Sequence, residues 1–272
     1  MRIAFIGGGN MTTSLVGGLV RRGTPAGSLT VSDPVPAQVD RLAREFGVQG
    51  VAENRDAVRD ADLVVLAVKP QQMAEVARGI APQLAERRRV VVSIAAGIRL
   101  ADLARWLGAG TPIVRTMPNR PALIGAGITA LYAGSGVTAR DRDSVQALMS
   151  AAGATVWLDH ESQMDVVTAI SGSGPAYFFL LVEALESAGI ASGLPAATAR
   201  RLAVETARGA GLMAAESGEA PAVLREQVTS KGGTTAAALE VLEAAAVRDT
   251  FRRAVAAATL RSAQLADEFG GT

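Results

Sequence analysis

The chain has 272 residues, 49% of them hydrophobic and 19% charged, with 27 basic residues against 26 acidic ones. That balance fits a globular protein of one or two domains and excludes a disordered chain, and a net charge of +1 offers no basic excess for nucleic acid. There is no cysteine and one histidine, His160, so disulfides, thiolate catalysis and cysteine or histidine-cluster metal sites are excluded, and no metal is expected.

Short β-branched runs recur through the first 160 residues, at 2–6, 28–33, 62–68, 89–95, 112–117, 127–133 and 154–159. Helical patterns lie between most of them, at 10–22, 36–46, 71–86, 100–107 and 138–152. Near-continuous apolar strands predict burial on both faces, and the strand–helix alternation predicts a doubly wound, mainly parallel α/β sheet of Rossmann type. The Arg87-Arg88-Arg89 triplet reads as a solvated helix end before a strand. Beyond residue 160 the strands stop, and good helix formers predict helices near 161–170, 174–189, 195–216, 221–228, 234–245 and 248–268. The expected organisation is therefore a dinucleotide-binding domain over 1–160 and an all-α domain over 161–272. Helix 174–189, GPAYFFLLVEALESAG, is apolar around most of its first half. It must be buried in its own domain or against a second copy. No apolar run is read as reaching the roughly 18 residues of a membrane helix, and the N-terminus lacks a signal-peptide flank, so a cytoplasmic protein is expected.

The first strand runs into Gly7-Gly8-Gly9 and then a helix from Asn10. Written as G-x-G-x-x-T, the stretch places Gly7, Gly9 and Thr12 at the positions of a dinucleotide fingerprint. Gly7 permits the tight turn, Gly9 lets a pyrophosphate reach the backbone, and the helix start supplies free N–H groups. Thr12 in place of a third small residue implies slightly looser helix–strand packing. The second strand ends at Ser32-Asp33, with Asp33 at 33 − 7 = 26 residues past the first glycine. Its carboxylate suits ribose hydroxyls and repels a 2′-phosphate, which tilts the cofactor towards NADH, although Arg41 and Arg44 on the next helix could still reach a 2′-phosphate; the competing role of Asp33 is a turn cap before Pro34. Three later strands end in small or turn-forming residues, AVKPQ, SIAAG and RTMPN, which let a flat cofactor lie close. Lys69 fits a ribose contact and a surface lysine equally well.

A nicotinamide cofactor implies hydride transfer. In the helical half, SGSGPAY at 171–177 and VTSKGGTTAAAL at 228–239 are small-residue loops that run into helices, each a candidate anion site or an ordinary cap. The second adds the hydroxyls of Ser230, Thr234 and Thr235.

Taken together and in order, IGGGNM, AVKP, SIAAGI, RTMPN-x-PALIGAG, ISGSGPAY and VTSKGGTTAAAL resemble the pyrroline-5-carboxylate reductases over essentially the whole chain. The resemblance implies NADPH- or NADH-dependent reduction of 1-pyrroline-5-carboxylate to L-proline, the last step of proline synthesis. It also implies a homodimer, or a larger assembly of dimers, joined through the helical domain. By match with the family, the cofactor positions are Gly7, Gly8, Gly9, Asn10, Met11 and Thr12, then Ser32, Asp33 and Asn54, then Ala67, Val68, Lys69 and Pro70, and Ala95, Ala96 and Gly97. Met117 to Asn119 are implied beside nicotinamide and substrate, and Ser230, Gly232, Gly233, Thr234 and Thr235 around the substrate carboxylate. Thr235 is the implied catalytic residue, hydrogen-bonded to the imine nitrogen. Two departures stand out: Lys231 where the family loop commonly has proline, and Arg120 where threonine is common. The alternatives are a related imine or β-hydroxyacid reductase, which leans on a lysine in the helical half, and a non-catalytic dinucleotide-binding protein.

Overall fold

In the central strands, side chains alternate between two apolar faces, and that alternation builds the sheet. The elements of the first unit are β1 (Ile3–Ile6), α1 (Asn10–Arg21), β2 (Leu29–Ser32), α2 (Pro36–Phe46), β3 (Gln49–Val51), α3 (Asn54–Arg59), β4 (Leu63–Leu66), α4 (Pro70–Glu86), β5 (Val90–Ser93), α5 (Leu100–Leu107), β6 (Ile113–Met117), β7 (Gly127–Ala133), α6 (Ala139–Ser150), β8 (Gly153–Trp157) and α7 (Gln163–Val167). These come from a computed structural model that describes residues 1–271. The strands form one sheet in the order β3-β2-β1-β4-β5-β6-β7-β8. Every neighbouring pair is parallel except β6 with β7, so the expected Rossmann-type, mainly parallel sheet is present.

Ile3, Phe5, Leu63, Val65, Val90 and Val92 face one core with Leu15, Val16, Leu42 and Leu148. Ala4, Ile6, Val64, Leu66 and Val91 face the other, with Met73, Ile80, Leu103 and Trp106. A strand buried on both faces has no polar side, which is why these segments read as unbroken apolar runs. The unit contains one strand and one helix that periodicity did not reveal, β3 and α3. β3 is three residues long and α3 six, with the charged sequence NRDAVR, so neither is long enough to show a period.

The described chain divides into two compact units, Met1–Gly172 with the chain from Ala258 onward, and Ser173–Ala257. The limit of 160 read from the sequence lies ahead of this division, which keeps α7 and the π-helical turn Thr168–Gly172 with the first unit. The second unit holds α8 (Gly174–Ala191), α9 (Ala196–Glu216), α10 (Pro221–Gln227), α11 (Thr234–Ala244) and the start of α12 (Val247–Gly270). α8 and α9 pack together with Gly189 against Ala199, and Arg200 pairs with Glu186 at 3.0 Å. The last turns of α12 belong to the first unit: Ser262 donates to Asp165 at 2.7 Å and Asp267 pairs with Arg99 at 2.7 Å.

Two sequence readings need correction. Gln163–Ala191 is long and apolar enough, by length and composition, to cross a membrane, although no such run was expected. No charged residue stands between Asp165 and Glu183; the glycines, serines and Pro175 within the stretch break its apolar appearance without adding charge. The arginine triplet is a solvated helix end at Arg87 and Arg88, which are exposed, but not at Arg89, which is buried. Arg89 is 3% exposed and donates to the carbonyls of Arg59 (2.7 Å) and Gln83, and burial pushes its guanidinium pKa down. Arg87 donates to the Ala61 carbonyl at 2.5 Å. Arg88 pairs with Asp141 and donates to the Gly136 carbonyl at 3.0 Å.

Asp141 also completes a capping box at the start of α6, accepting from the Thr138 backbone at 2.8 Å while its own N–H reaches the Thr138 hydroxyl at 3.3 Å. The hydrogen bond from Arg88, helped by those from Thr138, holds the Asp141 carboxyl down to about 2. A carboxylate with a depressed folded pKa stabilises the fold above its unfolded pKa, and that stability is lost as pH falls towards the folded value. Asp141→Asn is therefore expected to cost about 1–2 kcal/mol at neutral pH. In urea titrations the gap between variant and wild type should shrink between about pH 4 and pH 2. An equal gap at both ends of that window would refute the assignment.

Candidate functional site

The chain leaves β1 for β2 on one side of the sheet, and β4 begins the other side, so a crevice opens beyond the carboxyl ends of β1 and β4. Gly7 sits at that point with φ +105°, a conformation that L side chains rarely adopt. A Cβ there would stand 2.6 Å from the Ala67 carbonyl oxygen at the end of β4. The Gly7 N–H donates to the Ser32 carbonyl at 2.7 Å, which ties the turn to β2. Gly8 is buried, and its N–H donates to Asp33 Oδ2 at 2.7 Å, while Asp33 Oδ1 accepts from Val35 N–H at 2.8 Å. Asp33 is thus both the turn cap and a wall of the crevice. Thr12 is fully buried and donates from Oγ1 to the Gly7 carbonyl at 2.5 Å, so the residue expected to loosen the packing instead closes the turn.

Gly9 is the N-cap of α1 and supplies no side-chain cap, and a Cβ placed on it meets nothing within 4 Å. Open space above the first-turn N–H groups of Asn10, Met11 and Thr12, at the positive end of a 12-residue helix, fits a pyrophosphate. Beside it a cleft of about 720 Å³ is lined by Gly7, Asp33, Asn54 and Val68 among the expected residues. Ser32 is buried and donates to Asn54 Oδ1 at 2.8 Å, so it orients Asn54 and does not itself line the cleft. Glu53 and Gln72 also line it and were not anticipated; they stand at the starts of the unread α3 and of α4.

The other expected positions are distributed differently. Lys69 is exposed as the N-cap of α4, ahead of Pro70, and Ala67 donates to the Ile6 carbonyl at 2.8 Å. Ala95 is buried and Ala96 exposed. Gly97, at φ +73°, lies under the Phe269 ring of α12, which a Cβ would meet at 3.1 Å. Met117 packs on Gly172. Asn119 is buried, donating to the Ser171 carbonyl at 3.1 Å and accepting from Ile128 N–H at 2.9 Å, so its amide braces the loop after β6. His160 is exposed at the surface.

In the second unit, the turn before α11 is built by Gly232 at φ +69° and by Gly233, whose N–H donates to the Ser230 carbonyl at 3.1 Å. A Cβ on Gly233 would collide with the Ser230 hydroxyl. Gly233 caps the helix without a side chain, so Thr234 and Thr235 open α11 with uncapped N–H groups and their own hydroxyls. Such a turn can hold a small carboxylate.

The two glycines of the first turn should behave differently. Gly9→Ala should leave urea stability within about 0.5 kcal/mol of wild type, since nothing surrounds the new methyl. It should weaken NADH binding by about ten-fold or more, because the methyl occupies the pyrophosphate approach. Gly7→Ala, strained in φ and pressed on the Ala67 oxygen, should cost about 2 kcal/mol or more. Unchanged NADH affinity in Gly9→Ala would remove the pyrophosphate from this helix start.

A family model described as NADP oxidoreductase coenzyme F420-dependent matches residues 2–97, and one described as pyrroline-5-carboxylate reductase dimerisation matches residues 161–265. Pyrroline-5-carboxylate reductase of Pseudomonas aeruginosa is 49% identical over 269 residues, covering 99% of this chain and 98% of the relative. The enzyme of Pasteurella multocida is 42% identical, covering 97% of each chain. Among solved structures, a pyrroline-5-carboxylate reductase from Coxiella burnetii superposes with TM-score 0.95 at 39% identity, covering 97% of this chain and 98% of that one. Pyrroline carboxylate reductase of Plasmodium falciparum, with NADP bound, gives TM-score 0.84 at 29% identity, covering 98% of each. The dinucleotide turn, the second glycine turn and the relatives at this identity over nearly full length converge: the chain belongs to the pyrroline-5-carboxylate reductase family.

Proposed function

We propose that this protein reduces 1-pyrroline-5-carboxylate to L-proline with NADH or NADPH, as a cytoplasmic enzyme of proline synthesis that works as a homodimer or an assembly of dimers. The observation that carries the reading is the pair of uncapped glycine turns in one chain, one before α1 and one before α11. The first suits a pyrophosphate and the second a small carboxylate, which are the two anions this reaction must hold.

Bound nicotinamide supplies the hydride that adds to the C=N carbon. A protonated cyclic imine already accepts hydride well, so the protein needs no strong acid; its work is to bind and align. In our reading the N–H groups of Thr234 and Thr235, with the Ser230 hydroxyl and the Gly232-Gly233 backbone, cradle the carboxylate. Thr235, half-buried in the first turn of α11, accepts the imine N–H in hydrogen bonding and keeps that proton in place as the ring nitrogen becomes an amine. Lys231, exposed in the same turn, adds a positive charge for the carboxylate. Gly7 to Thr12, Asp33, Asn54 and Val68 hold the dinucleotide. Met117 to Asn119 shape the loop after β6.

The helical part supports homo-oligomerisation, since its family match is a dimerisation domain. α8 exposes Phe178, Phe179 and Leu180, each 65% accessible, with Leu181 and Leu185 beside them. Apolar side chains exposed around most of a helix need a cover, and a second copy of the chain is the cover we infer.

Purified protein should oxidise NADH or NADPH only when pyrroline-5-carboxylate is present. Thr235→Val should lower kcat/KM by about ten- to a hundred-fold while leaving NADH affinity unchanged. Absence of turnover with either nucleotide, in protein that binds one of them, would sink the proposal.

Phe179→Glu, which places a charge on the exposed face of α8, should shift the protein towards monomer in sedimentation velocity. A variant that sediments as wild type would move the interface elsewhere.

A further inference from the structure

The cleft beside the glycine turn is acidic. Its lining includes Asp33, Asp40, Glu53 and Glu75, and no lysine or arginine among the described residues. Those carboxylates come from three places that converge on the adenosine end of the crevice: the end of β2 with α2, the residue before α3, and α4. In a dinucleotide fold this is where the adenosine ribose lies, one turn from the pyrophosphate. A ribose with two hydroxyls donates to such carboxylates. A 2′-phosphate brings a charge of about −1.5 to −2 and only acceptor oxygens, into a wall of like charge with no cation to receive it.

Asp33 cannot turn away to make room. Its two oxygens accept from Gly8 N–H at 2.7 Å and Val35 N–H at 2.8 Å, so the carboxylate is fixed at the mouth of the turn. Pro34 follows, and Pro36 opens α2, which stiffens the segment. The nearest arginine on α2, Arg41, is already engaged. It donates to Thr13 Oγ1 at 2.9 Å, Gln38 Oε1 at 3.0 Å and the Gly8 carbonyl at 3.3 Å, and it stands 3.7 Å from Glu45.

We propose that Asp33, seconded by Glu53 and Asp40, makes this chain select NADH and reject the 2′-phosphate of NADPH. The inference rests on the reading of the cleft as a dinucleotide site and narrows it to one cofactor. It sets this chain apart from the Plasmodium falciparum relative, whose structure holds NADP.

The test is binding, separate from turnover. Calorimetric titration at low salt should show NADH binding at least about ten-fold tighter than NADPH, and 5′-AMP binding tighter than 2′,5′-ADP. The gap should narrow as salt rises, because the discriminating force is repulsion between partly exposed charges. Glu53→Gln and Asp40→Asn, both exposed, should each narrow it by raising NADPH affinity relative to NADH, and Asp33→Ser should narrow it most. Arg41→Ala should not weaken NADPH selectively. Equal or tighter binding of NADPH, tighter binding of 2′,5′-ADP, or a selective loss of NADPH in Arg41→Ala would overturn the selectivity while leaving the dinucleotide site intact. A protein that binds neither nucleotide would overturn the site itself, and the selectivity with it.

Discussion

The contact between Gly7 and the Ala67 carbonyl is the constraint on which the rest of the first unit turns. β1 and β4 are hydrogen-bonded neighbours, and the chain must leave β1 in the few residues before α1 without striking the end of β4. At φ +105° and with the Ala67 oxygen 2.6 Å from where a Cβ would be, only a glycine passes. The consequence is geometric. The start of α1 is delivered over the switch point with its N–H groups pointing at the crevice, and the same turn is tied to β2 through the Ser32 carbonyl. Thr12 then locks it from inside, its hydroxyl bonded to the Gly7 carbonyl in a fully buried site. A hydroxyl there needs a partner, and a broken bond would leave a buried polar group unsatisfied. The turn is accordingly held from three sides before any ligand arrives, and little ordering remains to oppose binding.

Much of this was legible because sheet burial and turn chemistry are local signals. The apolar runs at 2–6, 62–68 and 89–95 announce strands covered on both faces, and β1, β4 and β5 lie within them. The glycine turn was readable for the same reason, since a tight strand-to-helix turn admits few residue types. What escaped was set by distance. β3 and α3 are too short for a period, so Glu53 at their junction could not be placed in the cleft. The burial of Arg89 within the arginine triplet could not be read locally, because the carbonyls of residues 59 and 83 that it donates to lie away from it in sequence. Thr12 reads as a mild misfit in a fingerprint until its hydroxyl is seen bonded five residues back.

Motif matching also merges two kinds of residue that the structure separates. Some members of the expected set face the crevice, as Gly7, Asp33, Asn54 and Val68 do. Others hold the frame. Gly97 admits the Phe269 ring of α12, Ser32 orients Asn54, and the Asn119 amide bridges the Ser171 carbonyl and the Ile128 N–H. On the proposed function, substitution of the first kind would remove a ligand contact, and of the second the geometry that makes contacts possible. Asp33 belongs to both groups at once, because its bonds to Gly8 and Val35 fix a charge that also faces the cleft.

The second glycine turn repeats the logic of the first with different chemistry. Gly232 takes the positive φ, Gly233 leaves no room for a side chain beside Ser230, and α11 begins without a side-chain cap. A helix start capped by glycine forgoes only about a few tenths of a kcal/mol against an ordinary capping residue, and it leaves first-turn N–H groups open to an anion. Gly7, Gly8 and Gly9 lead into the uncapped N–H groups of α1, so a bulky pyrophosphate meets backbone there. Around the second turn stand Ser230, Thr234 and Thr235, whose hydroxyls can donate as well as accept. That difference matches a small substrate whose carboxylate and ring nitrogen need several directed hydrogen bonds, as against a cofactor that needs close approach to the main chain.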